Sequence, residues 1–219
     1  MMSVLKEILE EIAPYDAQLV AVSKTKPNEQ ILDLYREGQR IFGENRVQEL
    51  VRKHEELPSD IEWHMIGHLQ RNKVKYIASF VELIHSVDSL KLLREIDKQA
   101  AKNTRTISCL LEIKVAKELT KAGLHESEVT ILLDTLLQEP LPNIRIRGVM
   151  GMATFTDDTE QVRDEFRRLK GIFDRIKESY FVDDDNFSII SMGMSGDYKI
   201  ALEEGSTMIR VGTKLFGAR

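Results

Sequence analysis

Leu19-Val20-Ala21-Val22-Ser23-Lys24-Thr25-Lys26-Pro27 sets the reading of the whole chain. Its apolar run lacks polar alternation, as in a strand buried on both faces of a parallel sheet, and it passes without a break into a lysine. Pro27 stops any strand and holds Lys26 extended. Lys24 is therefore expected at the carboxyl end of a first strand over residues 19–24, near an apolar floor where desolvation favours a neutral, nucleophilic amine. That placement suits a Schiff base; a strand-end lysine also reaches water simply by extending its stem.

On the amino-terminal side, Val4, Leu5, Ile8, Leu9 and Ile12 recur at helical spacing and predict an amphipathic helix over residues 2–13. On the other side strands and helices alternate. Helices are predicted over 29–37 (closed by Gly38), 47–56, 72–79, 89–102 (capped by Asp88 or Ser89), 126–137, 158–179 and 197–204. Strands are predicted over 40–43, 61–67, 81–86, 106–115, 144–152, 187–192 and 208–211. With the first, that makes eight strands alternating with helices, most of them apolar on both faces, which is the pattern of a closed (β/α)8 TIM barrel. An open doubly wound sheet is the competing architecture. It normally carries a glycine-rich first turn, and Lys24-Thr25-Lys26-Pro27-Asn28 has no glycine. No linker or charge block interrupts the alternation, so residues 1–219 read as a single domain.

Composition narrows the function. Lys plus Arg number 31 against 36 Asp plus Glu, a net charge of −5, so no basic field draws nucleic acid. The one cysteine, Cys109, lies in an apolar run; an internal disulfide is impossible, and a buried structural thiol in a reducing, cytoplasmic compartment is expected. Lys6, Glu7, Glu10 and Glu11 break the amino terminus as a signal core, and no apolar stretch reaches the length of a membrane span.

In a barrel the active site forms at the carboxyl ends of the strands, and the loops after strands seven and eight often hold a phosphate. After strand seven comes Ser191-Met192-Gly193-Met194-Ser195-Gly196-Asp197, with two glycines that let the backbone approach a ligand and Ser195 at the expected start of a helix. After strand eight comes Arg210-Val211-Gly212-Thr213, offering a cation, an unhindered amide and a hydroxyl. Each segment alone is an ordinary cap or turn; together they suit a phosphate dianion. A lysine facing such a cradle fits a ligand with a carbonyl at one end and a phosphate at the other. Pyridoxal 5′-phosphate and a phosphorylated sugar both satisfy that description.

Across nearly its whole length the chain resembles the pyridoxal phosphate homeostasis proteins, a family related in fold to the barrel domain of alanine racemase. The resemblance rests on the segment 21–27 quoted above, Phe42-Gly43-Glu44-Asn45, Trp63-His64, Ile66-Gly67-His68-Leu69-Gln70, His85-Ser86-Val87-Asp88-Ser89, Ser191-Met192-Gly193-Met194-Ser195, Arg210-Val211-Gly212-Thr213 and Phe216-Gly217. It implies that Lys24 forms the Schiff base with pyridoxal phosphate and that Lys26 does not. It further implies that Ser195, Gly212 and Thr213 bind the phosphate, that Arg210 faces the pyridine nitrogen, and that Asn45 and Met194 line the pocket. A permanent guanidinium beside the ring disfavours ring protonation and weakens the cofactor as an electron sink. The expected role is then non-catalytic: buffering the cofactor or delivering it to enzymes that depend on it. A racemase on this fold needs a second base, supplied in the related enzyme by a tyrosine of an additional domain; with Arg219 three residues after Phe216, that domain is not expected. Tyr198, the tyrosine nearest the strand ends, is expected on the following helix. A weak racemase and a Schiff-base aldolase are the alternatives. The site needs no residue from another subunit, which permits a monomer.

Three departures from the family pattern stand out. Arg46 occupies a position where many members carry tyrosine, the loop from Glu118 to Gly123 lacks an upstream asparagine while keeping Lys121 and Gly123, and the amino-terminal extension is short. His64 and His68 have the spacing of helical metal ligands, but four residues along a strand separate them by roughly 13 Å, and no metal is expected. Gly193-Met194-Ser195-Gly196-Asp197 lacks the final glycine of a nucleophile elbow, and Asp183-Asp184-Asp185 reads as a solvated loop.

Overall fold

The computed structural model describes residues 2–116 and 122–217. Eight parallel strands close in sequence order into a barrel. They are β1 (Gln18–Val22), β2 (Ile41–Glu44), β3 (Glu62–Met65), β4 (Leu83–Val87), β5 (Ile107–Ile113), β6 (Ile144–Gly151), β7 (Ile189–Ser191) and β8 (Met208–Val211). The helices are α1 (Val4–Ile12), α2 (Asn28–Arg36), α3 (Val47–Glu56), α4 (Leu90–Lys102), α5 (Glu126–Gln138), α6 (Thr159–Tyr180), α7 (Tyr198–Glu203) and α8 (Thr213–Phe216). β1 and β8 seal the barrel, with Val20 beside Arg210.

Because side chains alternate along a strand, two apolar layers form. Leu19, Ala21, Phe42 and Trp63 point outward into the large core beneath the helices. Val20, Leu83, Leu110, Met150, Ile189 and Met208 point inward and fill the barrel itself. The same alternation sends Ser23 outward and Lys24 toward the mouth. α6 buries the predicted stripe of Val162, Phe166, Leu169, Ile172, Phe173 and Ile176, each worth roughly 1.5–3 kcal/mol relative to exposure. Between β5 and β6 the register shifts at Cys109/Leu110, beside Gly148. A Cβ there would stand 1.8 Å from the Ile189 carbonyl oxygen, and φ is +148°, so only glycine fits the bulge.

Several boundaries differ from the sequence reading. β1 ends at Val22, not Lys24: Ser23 N–H makes the last ladder bond to Gly43 O, and the chain then turns, with Lys26 N–H donating to Ser23 O. The predicted helix 72–79 is a 3₁₀ helix over Arg71–Tyr76. β3 and β7 are shorter than expected, since closure needs only their central residues. α8 follows the last strand where no helix is predicted; four residues are too few to show a period. Ser89 rather than Asp88 caps α4, its hydroxyl accepting from Leu92 N. The segment Glu118–Lys121 lies outside the described residues. Among the described residues no helix is long and apolar enough to cross a membrane.

Candidate functional site

A cavity of about 400 Å³ opens at the carboxyl ends of the strands. Its wall includes every residue singled out from the sequence: Lys24, Asn45, Met194, Ser195, Arg210, Gly212 and Thr213.

Lys24 sits on the turn that follows β1, half-buried, its amine without a hydrogen bond or ion pair among the described residues. Its neighbours are committed elsewhere. Lys26 Nζ donates to the carbonyl oxygens of Phe216 and Gly217, both at 3.1 Å, and so ties this turn to the end of α8. Lys214 Nζ is paired with the Tyr198 hydroxyl and with Glu11. Among the described lysines that line the cavity, Lys24 is the one whose amine has no hydrogen bond or ion pair.

Ser195 is not at the start of α7, as its sequence position suggests. That helix begins three residues later, after a turn in which Asp197 Oδ1 accepts from Met194 N at 2.5 Å. Gly193 enters the turn with φ +94°, and a Cβ there would meet the Cβ of Ala201 at 2.7 Å. The turn folds Ser195 back against α8 instead. Its hydroxyl accepts from the amides of Gly212 at 3.2 Å and Lys214 at 3.5 Å. The loops after β7 and β8 and the amino end of a short extra helix therefore meet at one point, the usual phosphate position in such barrels. A Cβ at Gly212 would come within 3.1 Å of Val22 O, so a side chain at that position would crowd the approach to its amide.

Arg210 is buried at the inner end of the cavity. Its Nη1 donates to Ser191 Oγ at 2.6 Å and its Nη2 to Gly151 O at 3.1 Å. Burial pulls its pKa down to about 10, opposed by Asp197 and Glu112, so the guanidinium stays charged at neutral pH. Behind it lies a relay: Ser191 Oγ meets His85 Nδ1 at 3.0 Å, and His85 Nε2 meets His64 Nδ1 at 3.0 Å. Desolvation holds both imidazoles neutral. His64 falls to about 3, with Arg147 contributing, and His85 drops well below its ordinary value, with His64 and Arg210 contributing. Burial raises the Glu112 carboxyl on β5, and Asp88 adds to the effect while Arg210 opposes it.

A second buried cluster stands behind Lys24. Lys53 on α3 is fully buried and bonds Ser23 O, Glu44 Oε1 and Glu49 Oε1 at 2.8, 2.7 and 2.8 Å. Sequence reasoning assigned no role to Glu44, Glu49, Lys53, His85 or Ser191. Glu44, His85 and Ser191 lie inside quoted motifs, but Glu49 and Lys53 give no local sign of burial.

His64 and His68 diverge, as the strand spacing predicts: His64 faces the barrel interior, whereas His68 is exposed beside Asp88. Tyr198 is the first residue of α7 and its hydroxyl is engaged by Glu11 and Lys214. Cys109 is buried, and burial pushes its thiol pKa up. Arg46 is exposed and does not line the cavity.

Comparison with known proteins places these features in context. The alanine racemase, N-terminal domain family profile matches residues 5–219. The pyridoxal phosphate homeostasis protein of Aquifex aeolicus (strain VF5) is 43% identical over 204 residues, covering 93% of this chain and 87% of the relative. That of Vibrio alginolyticus is 39% identical, covering 94% and 88%. PipY of Synechococcus elongatus PCC7942, solved with pyridoxal phosphate bound, superimposes with a TM-score of 0.88 at 35% identity over 98% of both chains. Alanine racemase of Bartonella henselae, at 14% identity and a TM-score of 0.71, shares the fold over 98% of this chain and 57% of its own.

Proposed function

The chain belongs to the pyridoxal phosphate homeostasis proteins, built on the alanine racemase N-terminal domain, and on that premise we propose that it binds pyridoxal 5′-phosphate as a Schiff base on Lys24 and buffers or delivers that cofactor in the cell. The observation that carries this reading is the unengaged amine of Lys24 in one cavity with Ser195, Gly212 and Thr213. When bound, the group would supply an aldehyde open to a neutral amine, with Lys24 the residue placed to hold it.

The protein's part is to hold and orient. The amides of Gly212 and Lys214 and the hydroxyls of Ser195 and Thr213 take the phosphate, with the Lys26 bonds keeping α8 against the lysine turn. Arg210 presents a fixed cation to the pyridine nitrogen and so disfavours its protonation. Asn45 and Met194 flank the ring. A site of this kind retains the cofactor and activates substrates poorly, so we read the chain as a carrier rather than a racemase. Tyr198 supports that reading, because its hydroxyl is committed to Glu11 and Lys214. Recipient enzymes that depend on pyridoxal phosphate are the corresponding partner class. The site draws on one copy of the chain, which suits a monomer, and the buried Cys109 thiol suits a reducing cytoplasm.

The test is the visible spectrum of the purified protein, then borohydride reduction and peptide mass mapping. A yellow band that bleaches and leaves a pyridoxyl mass on Lys24 is expected. Lys24→Ala should abolish the covalent mass while the cradle keeps measurable affinity for the phosphate. An unaltered adduct in that variant refutes the assignment.

A further inference from the structure

Lys24 is held from both sides by an ammonium that never touches it. Ser23, the residue before it, accepts from Lys53 Nζ through its carbonyl at 2.8 Å and donates its hydroxyl to Glu44 Oε1 at 2.6 Å. Thr25, the residue after it, donates its amide to Glu49 Oε1 at 2.7 Å. Both carboxylate oxygens are in turn bonded to Lys53 Nζ, at 2.7 and 2.8 Å. All three donors of the ammonium are used.

The turn needs this support. Lys26 N–H closes it on Ser23 O at 3.0 Å, and φ is +65° at Thr25, the position where a type II turn ordinarily takes glycine or asparagine. A β-branched residue with positive φ is an outlier that persists only where its surroundings over-determine it. Here the surroundings are the carboxylates of β2 and α3, and Lys53 and Glu44 are both fully buried. Buried ion pairs are a poor source of net stability, since apolar residues of similar volume commonly do as well. What such a cluster supplies at this place is direction.

We propose that Lys53, with Glu44 and Glu49, is a positioning residue for Lys24: the cluster fixes the turn Ser23–Lys26 so that the Lys24 amine projects into the cavity opposite the phosphate cradle. This rests on the reading of Lys24 as the anchor. Lys53 never meets the cofactor; it acts through the backbone on either side of the lysine.

The experiment compares wild type with Glu49→Ala, Glu49→Gln, Lys53→Met and Lys53→Arg. It follows amide hydrogen exchange at Thr25 without cofactor and the rate of Schiff-base formation on adding pyridoxal phosphate. In Glu49→Ala, which leaves the buried Lys53–Glu44 pair intact, Thr25 exchange should rise at least tenfold and Schiff-base formation should slow at least tenfold. Affinity for inorganic phosphate should change less than twofold. Glu49→Gln still presents an oxygen to the Thr25 amide and should restore both rates to within about threefold. Lys53→Met should reproduce the slow formation, and Lys53→Arg should restore part of it. Wild-type exchange and formation rates in Glu49→Ala would overturn the proposal, as would a formation rate that follows thermal stability alone across the set. A wild-type chain that forms no Schiff base refutes the Lys24 assignment itself, and with it the purpose given to the cluster, whatever Thr25 exchange reports.

Discussion

Behind the two ends of the cavity lie two buried polar clusters built on opposite electrostatic plans. The cluster behind Lys24 is ionic, with one ammonium and two carboxylates drawn from β2 and α3. The cluster behind Arg210 is a chain of neutral groups, Ser191, His85 and His64, running along the barrel interior. Arg210 Nη1 is the fixed donor at one end, and the tautomers of His85 and His64 set which atom donates along the rest of the chain. Both clusters orient a single side chain at the mouth, yet their costs differ. An ionic cluster has charge to lose when one partner goes, whereas a neutral relay has charge to gain when the pH falls.

Breaking the ionic cluster gives the largest expected effect. Lys53→Met strands Glu44 in a fully buried site where one carboxylate oxygen, Oε2, already lacks a partner. A loss of about 3–5 kcal/mol in urea unfolding is expected. Adding Glu44→Leu should recover more than half of that loss, since both charges are then gone. Slow Schiff-base formation should persist in the double variant. A double variant as unstable as the single one would show that packing, not stranded charge, sets the cost.

The relay is tested by pH. His64 and His85 have folded pKa values below their unfolded value of 6.5, so the unfolded chain binds more protons as the pH falls. Their contribution is fully present above the unfolded value and is lost as the pH drops toward the folded one, about 3 for His64. From pH 6.5 to 5 His64 should cost on the order of 2 kcal/mol, and His85 adds in the same direction. The ionic cluster carries the opposite sign. Burial raises Glu44, and Lys53 only partly opposes this, so its contribution is present below the ordinary carboxyl range and is lost as the pH rises through the folded value. The lowered carboxylates Glu11 and Asp184 take effect at and below their own ordinary range, beneath this window. His54, also lowered by burial, adds to the fall and the raised Glu112 opposes it, so His64→Gln should reduce the fall between pH 6.5 and 5 without abolishing it. An unchanged slope would mean that groups other than His64 set the fall.

The barrel and the cavity wall were legible in the sequence for the same reason: both are encoded by local pattern. Doubly apolar strands alternating with helices announce closure, and the site residues sit at strand ends that the fold itself identifies as the mouth. The two clusters behind the wall were not legible. Glu49 and Lys53, spaced i,i+4 on a polar-looking helix, read as an ordinary solvated pair, and only the packing of α3 beside the turn after β1 buries Lys53 and partly covers Glu49. Ser191, His85 and His64 are far apart in sequence and meet only through barrel closure. Ser195 lies on the cavity wall but in a turn against α8 rather than at the start of a helix after β7, because Asp197 turns the chain before α7 and a four-residue α8 leaves no periodic trace.

The smallest effect is expected where a charge belongs to neither cluster. Arg46 stands beside Asn45, at a position where the family resemblance leads one to expect tyrosine. In the fold it precedes the first turn of α3, is exposed, and lies off the cavity wall, while Asn45 remains on it. Its backbone carbonyl, which accepts from Leu50 N at 3.0 Å, is common to any residue at that position. Arg46→Tyr should thus shift unfolding stability by no more than about 0.5 kcal/mol. It should change the rate of Schiff-base formation less than about twofold, against the tenfold expected at Glu49 three residues on. A larger change would place Arg46 within reach of the ligand and would make the rim, as well as the two buried clusters, part of what orients the site.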